Sequence, residues 1–246
     1  MIYRRIAAAA VVTVLAVGAV VPVMFSAAEP AGEKPAKIKV LFIRQGGHDW
    51  KNLSPLLVDA MHKTGDFEVT LSENLDDFTA ERIGKYDVAM FTGSGVNFTR
   101  VEQEKGLCDF VRKGGGYVGI HSATDSFKRS EPYWELVGGR FAGHGGGKFK
   151  VYIYDAEHPI TKGLKDFEIQ DETYRHHYHS NVCMRCLIRM NRGKERQSMG
   201  WVQHYGKGRM FYTSLGHGRE AWANPHFQRL VVRGAYWSAG RKPKNP

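Results

Sequence analysis

The chain has 246 residues, 42% of them hydrophobic and 12% aromatic. That is enough apolar material for a sizeable core and too much for a disordered chain. The formal charge is +10, yet Lys and Arg are scattered among acids with no long basic run, so the charge reads as a solvated surface and not as a nucleic-acid footprint.

Arg4 and Arg5 precede an uncharged, almost wholly apolar run from Ile6 to Phe25, and Ser26-Ala27-Ala28 supplies the small residues a signal peptidase needs. The run is long enough to span a bilayer, but Pro22 and the small-residue exit favour cleavage after Ala28. Residues 1–28 are therefore expected to be a signal peptide, and the protein to be exported, periplasmic or extracellular, with no stable membrane anchor afterwards. No Cys follows the cleavage motif, which argues against a lipoprotein. Residues 29–36 read as a flexible lead-in, 37–241 as one domain and 242–246 as a tail.

Lys39 to Ile43 is a short continuous apolar run, the pattern of a strand buried on both faces. Apolar residues at Leu53, Leu56, Leu57, Ala60 and Met61 then predict a helix over Asn52 to Thr64. Strands are predicted at Phe67 to Leu71, Tyr86 to Phe91 and Tyr117 to Ile120. A helix capped by Thr99 is expected to run through Arg112 and stop at Gly114-Gly115-Gly116. This β-α-β alternation predicts an α/β fold with a doubly wound, mostly parallel sheet. After Tyr133 to Leu136 the texture changes. Phe149 to Tyr154, Phe167 to Gln170, Cys186 to Met190, Gly200 to His204 and Arg209 to Thr213 read as closely spaced strands. They predict an antiparallel extension whose last strand returns to the main sheet, before a closing helix over Phe227 to Trp237.

Ligands of doubly wound sheets bind beyond the carboxyl ends of the strands. His48 follows the first predicted strand, His121 the fourth, and His217 the strand ending at Ser214. Asp171-Glu172 ends another and brings carboxylates. His144 lies in a Gly-rich stretch, Gly143 to Gly147, expected to be a loop folding over the same rim. Imidazoles and carboxylates that converge can hold a divalent metal, zinc or similar, or serve as acid and base. The Gly-rich segments match neither G-x-G-x-x-G nor P-loop spacing.

Cys183 and Cys186 form a C-x-x-C that enters an apolar run, unlike a thioredoxin motif at a helix start. This His- and Cys-rich segment reads first as an exposed polar loop. A local disulfide comes second, and a zinc half-site with His176, His177 and His179 third. The turn Gly119-Ile120-His121-Ser122-Ala123 has the context of a nucleophile elbow. Class I glutamine amidotransferases carry a Cys there; this chain carries His121, and keeps His217 with Glu220 three residues on. A glutamine thioester is thereby excluded at this turn. Ser122 with His217 as base is the weaker alternative.

Five segments together resemble the ThuA-like (trehalose-utilisation) domains: Gly114 to Thr124, Tyr133 to His144, His158 to Leu164, Gln170 to Tyr174 and Tyr205 to Trp222. The resemblance runs from about Lys37 to Gly240. It implies the flavodoxin-like, class I glutamine amidotransferase-like fold without the nucleophile, and a role in sugar use. By motif position it marks His48, His121, His144, Glu172 and His217. The chain departs from the pattern at Gly145-Gly146, where relatives often have Pro and an aromatic, and in the His- and Cys-rich segment between Tyr174 and Leu187.

The resulting expectation is an exported protein acting on a small-molecule carbohydrate, trehalose or another sugar derivative. Catalysis is assigned to His48, His121, Glu172 and His217, with the three histidines as metal ligands. Substrate contacts are assigned to His144, Trp50, Arg219 and Glu220, and Trp201 and Trp222 are further candidates to face sugar rings. The reaction would be hydrolysis or isomerisation, with a non-catalytic carbohydrate- or partner-binding module as the rival. Oligomerisation stays open.

Overall fold

The computed structural model describes residues 36–192 and 195–245; the expected signal peptide lies outside them. No helix among the described residues is long and apolar enough to cross a membrane. The chain alternates at first: β1 (Ile38–Gly46), α1 (Trp50–Lys63), β2 (Phe67–Ser72), α2 (Ala80–Ile83), β3 (Val88–Ser94), α3 (Val101–Arg112) and β4 (Gly116–Ile120). A 3-10 turn over His121–Asp125 leads to α4 (Glu131–Val137). Then come β5 (Gly139–Ile153), β6 (Phe167–Tyr178), β7 (Arg185–Arg192), β8 (Glu195–Tyr205), β9 (Gly208–Thr213), α5 (Arg219–Ala223) and α6 (Pro225–Ser238).

One nine-stranded sheet results, in the order β2-β1-β3-β4-β9-β8-β7-β5-β6. The first five strands in that order pair in parallel, with the flavodoxin-like arrangement in which β9 takes the fifth place. The remaining pairings are antiparallel. The expectation of a mostly parallel sheet is corrected accordingly: the sheet is mixed. Parallel pairing needs a crossover of a dozen or more residues, usually helical, and the sequence from β5 to β9 supplies no helix between strands. Strands there can only return as antiparallel neighbours, and β9 alone rejoins the parallel half.

The parallel strands are continuous apolar runs because both faces are covered. Val40, Phe42, Met90, Val118 and Phe211 face one core, with Leu57, Trp222 and Leu230 from α1, α5 and α6. Leu41, Ile43, Phe91, Tyr117 and Tyr212 alternate onto the other, with Leu107 and Val111 from α3. Three local expectations are corrected. Gly143 to Gly147 is not a loop but part of β5, paired with β6 across a bulge between Phe141 and Gly143. Its side chains are half-buried or exposed, so no apolar alternation marked it as strand. Asp171 and Glu172 lie within β6 and do not end it, and His176 and His177 belong to the same strand. Thr99 is not the cap: α3 begins one residue later, after Arg100, and the Gln103 side-chain oxygen accepts from the backbone N–H groups of Thr99 (2.9 Å) and Arg100 (3.4 Å).

Helix α6 lies directly on β9 because Gly234 has no side chain. A Cβ there would stand 2.2 Å from the Phe211 ring. Gly234→Ala should therefore destabilise the protein by about 1–3 kcal/mol through overpacking, although Ala is the better helix former by about 1 kcal/mol. Urea unfolding of the two proteins checks this; equal or greater stability of the variant would refute the close-packing account.

Candidate functional site

Three turns leave the carboxyl edge of the parallel strands and meet. The first carries His48 between β1 and α1. The second begins at His121, directly after β4. The third is Ser214 to Gly218, between β9 and α5. His121 is fully buried with a backbone φ of +50°, a left-handed conformation that costs a non-glycine residue about 1–2 kcal/mol. The Tyr212 hydroxyl donates to the His121 carbonyl (2.7 Å), and the Tyr133 hydroxyl to that of Ala123 (3.0 Å). Buried donors thus hold the turn in its unfavourable geometry.

The imidazole of His121 is oriented from both ends. Nδ1 lies 2.7 Å from the Ser214 carbonyl oxygen, which can only accept. Nδ1 therefore carries the proton and Nε2 presents its lone pair to the site. The Tyr174 hydroxyl, from β6, donates to that Nε2 at 2.9 Å. His48 Nε2 and His217 Nδ1 stand 3.2 Å apart. One ligand nitrogen of each of His48, His121 and His217 lies within 4.8 Å of the others. Glu172 completes the cluster, with one carboxylate oxygen 3.3 Å from His217 Nδ1 and also 3.3 Å from His144 Nδ1, and the other 3.5 Å from His121 Nε2. Burial pushes the pKa of His121 far below the usual histidine range. It also lowers that of His48, where the neighbouring His217 adds to the effect. Both imidazoles are thus neutral at pH 7, as ligation or base catalysis requires.

Tertiary packing therefore brings His48, His121, His144, Glu172 and His217 together. It separates others. Trp50 is buried, stacked beneath His48 with centroids 4.5 Å apart, and Trp201 and Trp222 are buried too. The tryptophans are supports and offer no face to a sugar ring. Arg219 and Glu220 are exposed on the first turn of α5, outside the hydrogen bonds of the cluster. Ser122 is fully buried, and its hydroxyl lacks a partner among the described residues, so the Ser122–His217 dyad does not form. His176 is wedged between Trp201 and Tyr212, and burial drops its pKa to about 3. His179 pairs with Glu131 at 3.0 Å. Among the described residues no metal-holding group forms there. Cys183 and Cys186 are free thiols, not a disulfide.

Sequence reasoning missed Tyr174 and offered Asp171 only, with Glu172, as a carboxylate at a strand end. Glu172, Tyr174 and His176 alternate along β6, so they share one face. Recognising QDETY as mid-strand would have placed Tyr174 beside Glu172.

These features define an α/β protein with a histidine–carboxylate cluster at the carboxyl edge of its parallel strands. The profile of the ThuA family, described as trehalose utilisation, matches residues 39–238; the chain belongs to that family. The fold is similar to that of a ThuA-like protein from Parabacteroides merdae ATCC 43184 (23% identity, 85% of this chain and 93% of that one, TM-score 0.72). It is also similar to that of a ThuA-like protein from Bacteroides uniformis ATCC 8492 (19%, 88% and 99%, TM-score 0.69). A protein of Salmonella typhimurium LT2 described as cytoplasmic shares the fold at 16% identity (84% and 100%, TM-score 0.60). No protein of curated function matches the chain significantly.

The backbone at position 121 separates two roles of that residue. His121→Ala should lose ligand binding at the cluster and keep the left-handed strain. His121→Gly should lose binding equally while relieving strain, and so be more stable than the Ala variant by about 1 kcal/mol. Thermal unfolding of the two variants measures the difference; a glycine variant no more stable than the alanine one would contradict it.

Proposed function

We propose that the protein acts in the use of a carbohydrate, trehalose or another sugar derivative, through a divalent metal held by His48, His121 and His217. Membership of the trehalose-utilisation family supports the substrate class. The observation that carries the metal is the spacing of the donors. Nitrogens about 2.0–2.1 Å from a tetrahedral zinc stand roughly 3.3 Å from one another. The His48–His217 separation of 3.2 Å matches that edge length, and the three donor nitrogens all lie within 4.8 Å of one another. Nitrogen and carboxylate donors suit zinc and similar ions.

A divalent metal there would polarise a carbonyl or activate a water. The chain's own groups do the rest. Ser214 fixes the His121 tautomer with Nε2 unprotonated, which readies it for ligation. Glu172, 17% exposed, is placed to accept a proton from water or from a sugar hydroxyl at the cluster. Burial raises the pKa of Tyr174; its phenol stays protonated, and once His121 Nε2 gives its lone pair to a metal that proton is free to be donated to a developing oxyanion. His144, half-exposed on β5 with its Nδ1 3.3 Å from Glu172, is placed to orient the substrate. Hydrolysis and isomerisation both fit this set.

Zinc titrated calorimetrically into chelator-stripped protein should bind once per chain at pH 7.5. Single alanine substitutions of His48, His121 or His217 should weaken binding by more than the roughly 10–100-fold typical of outer-shell changes. Burial holds the pKa values of His48 and His121 below about 6.5, so the unfolded chain takes up protons first. Stability is therefore full above that pH and declines as pH falls below it, whereas zinc affinity falls at the lower pH where the folded His48 and His121 themselves take up protons. Absence of zinc binding, or affinity unaffected by the three substitutions, would refute the metal.

We also propose export, on the strength of Arg4, Arg5, the apolar run and Ser26-Ala27-Ala28. N-terminal sequencing of the natural protein should begin near Glu29; Met1 intact in a soluble cytoplasmic fraction would overturn this.

A further inference from the structure

Asp171 lies on β6 beside Glu172 but is not part of the imidazole cluster. Its side chain is only 6% exposed, and a carboxylate in such a place needs donors. It finds them in the backbone of another element. One oxygen accepts from the Gly216 N–H at 2.7 Å and the other from the His217 N–H at 2.9 Å. That second oxygen also accepts from the N–H of Glu172, at 2.9 Å. The turn is fixed from its other side by the Trp222 indole, which donates to the Gly216 carbonyl at 2.8 Å.

The topology makes this contact unusual. β6 is the far edge of the antiparallel half, and β9, which feeds the His217 turn, is the last strand of the parallel half. No ladder joins them. For Glu172 and His217 to meet, the sheet must curl until the middle of β6 reaches the end of β9, and the Asp171 carboxylate is the buried polar clasp at that point. One side chain thus bonds the backbones of both the glutamate and the histidine. We propose that Asp171 is the positioning residue of the metal centre: it holds the turn that carries His217 in place against β6, and with it sets the affinity of the site, without touching the ion. This rests on the metal reading given above. Carboxylate–backbone bonds of this kind are strong because the acceptor is charged, and groups that orient metal ligands typically govern affinity 10–100-fold.

A double-mutant cycle on zinc affinity tests it, using the chelator-stripped full chain. Asp171→Asn keeps the shape but turns one oxygen into a donor that faces an N–H. It should weaken zinc about 10–100-fold in the otherwise native protein. The loss should vanish in a His217→Ala background, where there is no imidazole left to position. It should persist in a His48→Ala background, since His48 sits on a turn that Asp171 does not touch. An equal Asp171→Asn loss in all three backgrounds would mean general weakening of the fold and would overturn the proposal. So would an unchanged affinity in the native background. If His217→Ala and His48→Ala themselves leave zinc affinity unchanged, it is the metal reading that fails. A second measurement needs neither the metal nor a folded variant. The amide protons of Gly216 and His217 should resonate downfield and exchange slowly in the native protein, as donors to a buried carboxylate. Rapid exchange at both would also overturn the clasp.

Discussion

The hydrogen bond between His121 Nδ1 and the Ser214 carbonyl, 2.7 Å long and fully buried, joins the ends of two strands that come from opposite halves of the chain. β4 and β9 are neighbours in the sheet, yet helix α4 and the four antiparallel strands β5 to β8 separate them in the chain. The bond requires the left-handed turn at His121, the completion of the parallel sheet by β9 and one particular tautomer of the imidazole. Once it is made, Nε2 points into the space that His48, Glu172 and His217 also face. The rest of the site is arranged around that direction.

Burial then does two kinds of work. In the core it supplies the favourable free energy, through apolar faces on both sides of the parallel strands. At the rim the same burial removes water from imidazoles and so disfavours their charged forms. A histidine cluster in water would repel itself when protonated; here burial keeps His48 and His121 neutral and available. Asp171 shows the opposite balance. Burial raises its carboxyl to about 6, while three backbone N–H groups and the nearby His217 pull the other way. The protein retains a costly buried carboxylate where backbone amides can satisfy it.

A nucleophile elbow is a geometry before it is a chemistry. This chain has that geometry, a strand running into a strained residue held by buried hydroxyls, with an imidazole at its tip. A thiol there would attack a carbonyl; an imidazole there can ligate or move protons. The indoles that the sequence offered as sugar platforms are used instead as packing, Trp50 beneath His48 and Trp222 behind the His217 turn. Polar groups on β5 and β6, among them His144, Glu172 and Tyr174, form the open wall of the site.

Much of this was legible in the sequence. Continuous apolar runs marked β1, β3 and β4 because strands buried on both faces carry that signature. The periodicity of α1 and α6 marked helices that cover one face. The rule that ligands gather beyond strand carboxyl ends singled out His48, His121 and His217, since each follows an apolar run directly. The end of β5 was legible from Phe149 on, but its first part, Gly139 to Lys148, was not, because a glycine-rich strand with two partly exposed faces has no alternation to detect. Asp171 and Tyr174 could not be placed for a related reason: their roles depend on how far the antiparallel half curls over the parallel one. Local sequence fixes the period of an element and the chemistry of its side chains. Which edge strand meets which turn is settled by the twist of the whole sheet and by buried hydrogen bonds between residues far apart in the chain, and only the tertiary structure contains them.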